Sequence, residues 1–181
     1  MTDLVVKSNK LVQALQTLNL NEARLLQLAI VDARETGQGL STEEPLELNA
    51  DRYAKAFNVS ADAAYLALSE AEDSLFKRQF TITNEDGTLT KSRWIQDANY
   101  RKGEGRILVT LTRVVIEHVT KIDGFEQYFT SYHLKKTADF KSVYAVRLYE
   151  LLMQWKAVGR TPAYELDRLR GQLGIGVNEY T

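Results

Sequence analysis

Between residues 49 and 78 the chain carries two short helical patterns a few residues apart, and strand-like alternation follows at once. Asn49 is a good N-cap for a helix carrying Tyr53, Ala54, Ala56 and Phe57. Asn58, which tolerates the left-handed conformation found just past a helix end, closes it. Val59 is the apolar residue of the turn, and Ser60 caps a second helix over residues 61–78 that buries Ala64, Leu68, Ala71 and Leu75. Two helices joined by so short a turn outline a helix-turn-helix. Phe80-Thr81-Ile82-Thr83 then reads as a strand, residues 84–87 as a turn and residues 92–100 as a second strand; residues 102–105 turn again before Ile107-Leu108-Val109-Thr110-Leu111. A helix-turn-helix followed by a hairpin predicts an α+β chain with a winged helix.

Upstream, Leu11, Val12, Leu15 and Leu18 recur at helical spacing after Ser8 or Asn9 as N-cap. Asn19 and Glu22 make a capping box for a long helix that buries Leu25, Leu26, Leu28, Ala29 and Ile30 and ends near Gly37 and Gly39. Residues 38–47 form a polar connection containing Pro45. Downstream, a helix is predicted over residues 114–121, and residues 142–155 form a strongly amphipathic helix extended by Trp155. Thr161-Pro162 reads as an N-cap followed by proline at the first helical position.

The C-terminal stretch also repeats the first unit. Asp167-Arg168-Leu169 to Leu173-Gly174-Ile175 matches Asp51-Arg52-Tyr53 to Phe57-Asn58-Val59, and Arg147-Leu148-Tyr149 parallels Arg24-Leu25-Leu26. This is either a weak internal duplication or a chance likeness of short helices. If it is a duplication, residues 1–134 form a first winged-helix unit and residues 135–181 an incomplete second one. The chain is then a fragment of a longer protein, or the helix over residues 144–155 packs elsewhere.

The chain is 181 residues long, with 44% hydrophobic and 26% charged residues, enough for one good core or two small ones. No apolar run approaches the roughly 20 residues needed to span a bilayer, and the N-terminus lacks a signal peptide's basic and apolar regions, which implies a cytoplasmic protein without a membrane partner. Without cysteine, and with His118 and His133 isolated, no metal or other cofactor is expected. Gly103-Glu104-Gly105 has no Gly-Lys-Ser/Thr after it, so it is no phosphate-binding loop, and Glu43-Glu44 has no adjacent base, so the chain reads as a binding protein and not an enzyme. The net charge of -1 argues against a uniformly basic nucleic-acid binder. Acidic residues gather over 35–51 and at Glu70, Glu72 and Asp73, whereas basic ones gather over 91–113 and at Lys135, Lys136 and Lys141. Such segregation supports either a bipolar surface that binds phosphates on one side or plain solvated faces.

Four stretches resemble the RepB or Rep family of plasmid replication initiators. They are Val5-Val6-Lys7-Ser8-Asn9-Lys10-Leu11-Val12, residues 18–32, Phe125-Glu126-Gln127-Tyr128-Phe129-Thr130-Ser131-Tyr132, and Ser142-Val143-Tyr144-Ala145-Val146-Arg147-Leu148-Tyr149-Glu150-Leu151-Leu152-Met153-Gln154-Trp155. The resemblance spans nearly the whole chain and is especially close to initiators of Acinetobacter-like plasmids. It implies tandem winged helices, a dimer that represses its own gene, and a monomer that binds iterons in double-stranded origin DNA and starts theta-type replication with host replication proteins. It also implies that the second recognition helix, which reads the iteron, is absent here.

Winged helices set the second helix of the motif against DNA and reach backbone with the wing. Here that helix carries Asp62, Glu70, Glu72 and Asp73, which repel phosphates. Phosphate contacts are therefore expected from Lys77 and Arg78 at its end and from Lys91, Arg93, Arg101, Lys102 and Arg106 in the hairpins, with Lys135, Lys136 and Lys141 at the junction of the two units. Trp94 and Tyr100 fit base stacking or, on an alternating strand, the core. An unpaired apolar strand over residues 107–111 would template pairing between chains. The second functional reading is a winged-helix repressor or assembly module with little DNA specificity.

Overall fold

The computed structural model describes residues 3–120 and 124–180. The chain enters through β1 (Leu4–Ser8) and turns into a four-residue helix, α1 (Asn9–Val12), because the Ser8 hydroxyl accepts the Leu11 N–H at 3.0 Å. The helical spacing of Leu11, Val12, Leu15 and Leu18 does not make one helix. Past Val12 the backbone extends, and β2 (Leu15–Gln16) pairs with Phe80 and Thr81, so a distant strand overrides the local pattern.

The long helix α2 (Leu20–Thr36) follows. Its capping box forms as predicted: the Asn19 side chain accepts the Glu22 N–H and the Glu22 carboxylate accepts the Asn19 N–H, both at 2.9 Å, and left-handed Gly37 ends it. Residues 22–31 are all buried, so α2 is enclosed by the rest of the chain instead of lying on its surface. Its neighbours include β1, which the sequence reading did not anticipate, and the helix-turn-helix.

The polar connection after α2 contains β3 (Leu46–Asn49), where Leu46 and Leu48 point inward between exposed Glu47 and Asn49. Then come α3 (Ala50–Phe57) and α4 (Ala61–Lys77). The Asn49 side chain accepts the Arg52 N–H at 2.7 Å, Asn58 sits at φ 51°, and the Ser60 hydroxyl accepts the Ala63 N–H at 3.1 Å. These caps are the ones read from the sequence, and they force the tight corner between the helices.

Next are β4 (Gln79–Thr83), β5 (Leu89–Arg93), β6 (Ile95–Arg101) and β7 (Arg106–Leu111). The single strand predicted over residues 92–100 is broken at Trp94, whose ring is buried 4.3 Å from that of Phe80. That break sends the flanking strands into different sheets, β2-β4-β5 and β3-β7-β6. The wing is thus the β6–β7 hairpin, and β4–β5 is an extra hairpin between it and α4. β7 lies at the centre of its sheet, paired on both sides, so it is no unpaired apolar template; β3 and β6 form the edges.

Helix α5 (Arg113–Val119) is capped by Thr112; Lys121, the predicted end of this helix, lies outside the described residues. β8 (Phe129–His133) pairs antiparallel along all of β1 and brings the chain back to its start. After a 3-10 turn at Leu134–Lys136 come α6 (Val143–Met153) and α7 (Leu166–Leu173). Trp155 lies beyond the end of α6 in a series of turns. Thr161-Pro162 does not open a helix: Glu165 is the N-cap of α7, its carboxylate accepting the Arg168 N–H at 3.1 Å. No helix among the described residues is long and apolar enough to cross a membrane.

Candidate nucleic-acid interface

The wing is fastened to the helix-turn-helix by close backbone approach. Gly105, at φ 62°, accepts the Ala50 N–H at 2.7 Å, and a Cβ added to it would meet the Tyr65 ring at 2.4 Å. The turn is thereby pressed against the starts of both α3 and α4. It displays Arg101 and Lys102 to solvent, with Arg101 directly opposite Arg106 in the ladder. Arg106 is held by Glu47 at 2.9 Å and by Glu104, and these exposed carboxylates orient it without burying it.

A second basic group lies at the far end of α4. Lys77 pairs with Asp73 at 2.7 Å, and Arg78 donates to buried Glu22 at 2.8 Å. Arg93 donates to the Phe76 carbonyl at 2.7 Å and stacks over the Phe76 ring, while Lys91 is exposed nearby on β5. Tyr65 touches the wing turn and Phe76 touches Arg93, so eleven residues of helix, about 16 Å, separate the two groups. Between them, exposed Glu70, Glu72 and Asp73 keep the middle of α4 acidic, and Asp62 adds a carboxylate in its first turn.

Lys135, Lys136 and Lys141 form a third exposed group around the turn that packs against α2 and α3. The ten predicted cations therefore do not converge on one surface of α4: they fall into three groups, and Arg78 and Arg93 are also structural ties. Sequence reasoning passes over Lys55, exposed on α3, whose only signal is its outward place opposite buried Tyr53 and Phe57. Trp94 belongs to the core at 2% exposure, and half-buried Tyr100 packs against it.

The sequence matches the family of initiator replication proteins, through its WH1 domain, over residues 4–153. The chain belongs to that family. An uncharacterized 27.6 kDa protein of Escherichia coli is 22% identical over 165 residues, 86% of this chain and 68% of that protein. Among solved structures, the Pi initiator protein in complex with iteron DNA superposes with a TM-score of 0.78 at 18% identity, covering 95% of this chain and 73% of that one. That likeness shows the winged-helix fold. The WH1 domain of MSBI1.176, a replication protein isolated from a multiple sclerosis patient, is 36% identical over 55% of this chain and 79% of its own, with a TM-score of 0.48.

The WH1 match of this initiator includes α6, and the buried contacts of α6 run back into the first 134 residues. Glu150, 1% exposed, pairs with Lys7 of β1 at 2.7 Å and with Arg147 at 2.9 Å, and it accepts the Tyr132 hydroxyl of β8 at 2.7 Å. Arg147 also donates to the carbonyls of Val12, Ala14 and Gln172, tying α6 to the α1–β2 corner and to α7. Gln27 of α2 donates to the Tyr132 oxygen at 2.8 Å. Burial by itself raises the Glu150 pKa, but Lys7, Arg147 and the Tyr132 hydroxyl outweigh it and hold the carboxyl below its ordinary value. Burial lowers Lys7 and pushes the Tyr132 phenol well up. Of the two expectations for this helix, a fragment of a longer protein or packing elsewhere, the contacts bear on the second: α6 packs against β1, β8 and the α1–β2 corner.

His118 lies on α5, as the sequence suggests for an ordinary polar residue. Its Nδ1 is 2.6 Å from the Ser8 hydroxyl, and burial lowers its pKa. The Ser8 oxygen is already the α1 cap, so this contact anchors α5 to β1.

Proposed function

We propose that this chain is the amino-terminal part of a plasmid replication initiator that acts in the cytoplasm by binding double-stranded origin DNA and remodelling it, without catalysis. One observation carries the reading: a family match over residues 4–153 coincides with a wing whose turn holds Arg101, Lys102 and Arg106 beside the start of the helix-turn-helix. The wing tip and the Lys77, Arg78, Lys91 and Arg93 group contact phosphates on either side of α4. Lys135, Lys136 and Lys141 touch backbone at the junction. The Pi initiator, which shares this fold, is seen bound to iteron DNA, and iteron recognition here follows the same logic. A homodimer that represses its own gene, a RepB-type lineage and engagement of host replication proteins complete the proposal.

Residues 135–181 are proposed to begin a second winged-helix unit. Two features support this: α7, like α3, is eight residues long, and it ends in a left-handed residue, Gly174 at φ 90° in place of Asn58. Base reading then belongs to a recognition helix outside these residues.

A titration of tandem-repeat origin duplex and random duplex across a salt series tests the reading. Changing Arg101, Lys102 and Arg106 together to Ala should weaken binding to both duplexes equally and reduce the salt slope by up to about 3, one for each lost phosphate contact. An unchanged slope removes the wing from the interface. The acidic face of α4 favours a second reading, an assembly module or repressor with little DNA binding of its own, for which wild-type affinity for both duplexes would be negligible.

A further inference from the structure

The surface of α4 that faces away from the core is unlike a DNA-reading helix, and its pattern is specific. At about 3.6 residues per turn, Tyr65, Leu66, Ser69 and Phe76 fall along one outward stripe. Leu66 is 57% exposed and Tyr65 and Phe76 about two-fifths exposed, on a helix whose opposite face, Ala64 to Leu75, is fully buried. Carboxylates lie along and on both sides of this apolar stripe: Asp62 and Asp73 within it, Glu72 toward the wing and Glu70 on the other flank. The only basic residue in the helix, Lys77, sits at its last position in an exposed pair with Asp73 that either side chain can exchange for another partner. Tyr65 and Leu66 adjoin near the start of the stripe and form an exposed apolar pair of the kind found at protein contacts, while Phe76, about 16 Å along the helix, is partly covered by Arg93. The surrounding negative charge excludes nucleic acid and selects a positive partner.

We propose that the outward face of α4 docks a basic amphipathic helix of a partner protein, with the partner's leucine-like side chains against Leu66 and the aromatic residues and its lysines or arginines against Glu70 and Asp73. The helix that fold analogy would assign to base reading is thus a protein-binding surface, and DNA is left to the basic groups at its two ends. The inference does not depend on DNA binding: it stands on the side chains of α4 alone.

The probes are two synthetic amphipathic helical peptides with the same leucine face, one with lysine flanks and one with glutamate flanks, labelled for fluorescence anisotropy against the whole chain. The lysine peptide should bind at least tenfold more tightly than the glutamate peptide and should weaken as salt rises. Leu66→Lys, and separately Glu70→Lys with Asp73→Lys, should each reduce its affinity at least tenfold while circular dichroism shows the fold intact, since all three positions are exposed. Equal binding of the two peptides, absence of lysine-peptide binding, or insensitivity to both variants overturns the proposal. So does a concentration-dependent dimer abolished by Leu66→Lys, which would place a second copy on this face, or a wild-type DNA affinity lowered by Leu66→Lys, which would place duplex there.

Discussion

Two sets of ion pairs in this molecule use the same residue types to opposite ends. Around Glu150, Lys7 and Arg147 are almost wholly buried, and every charge faces an opposite charge or a backbone carbonyl. At the wing tip, Arg106 faces Glu47 and Glu104 in open solvent. Removing charge from water costs several kcal/mol per ion, repaid only while the partners are in place, so the buried set cannot lose a member cheaply. Exposed pairs gain little and lose little. The wing cations can therefore exchange carboxylates for phosphates, whereas the Glu150 set fixes where α6 lies.

The contrast breaks most visibly at Glu150. Glu150→Ala leaves Lys7 and Arg147 buried without their counter-ion and should destabilise the chain by about 3–5 kcal/mol in denaturant unfolding; a change within a few tenths would mean that α6 contributes no stability through its charges. Next in size is Gly105→Ala, which tests whether the wing is held by backbone shape instead of charge. A Cβ there meets the Tyr65 ring and sits at positive φ, so the expected cost is about 1–3 kcal/mol, with weakened DNA binding from a displaced turn. Smallest is Arg106→Ala, which should leave the melting midpoint unmoved while lowering the salt slope of DNA binding by about 1. A large drop in midpoint would show that the wing pairs are structural and erase the distinction.

The legible part of the fold is its local chemistry. Asn19 with Glu22, Asn49, Asn58 and Ser60 each act on backbone within a few residues, so the caps of α2, α3 and α4 and the corner between them follow directly from their order. The wing strands β6 and β7 announce themselves by alternation, although the break at Trp94 does not: only the buried stacking of Trp94 on Phe80 shows why one strand becomes two. β1, β2 and β3 escape for a different reason. They are five, two and four residues long, and each pairs with a strand far along the chain: β1 with β8, β2 with β4 and β3 with β7.

The candidate site divides the same way. Arg101 and Lys102 are legible as exposed turn cations, and they are. Arg78 and Arg93 carry the same charge and the same sequence signal, yet one neutralises buried Glu22 and the other stacks on Phe76. Arg147 and Glu150, three residues apart on an amphipathic helix, carry no local sign of burial; Lys7 and Tyr132, brought in from β1 and β8, close over them.

By itself the sequence determined where α2, α3 and α4 start and stop, that a winged helix forms, and that the exposed face of its second helix is acidic, because each of these rests on side chains acting on their own or adjacent backbone. The tertiary structure decided which hairpin is the wing, that β7 is central and not an edge, and that α6 is locked to β1 and β8. Those outcomes depend on ring packing, hydrogen bonds and charge burial between residues from 14 positions apart, Phe80 and Trp94, to 143 apart, Lys7 and Glu150, where no local pattern reaches and only the free energy of the assembled core selects the partner.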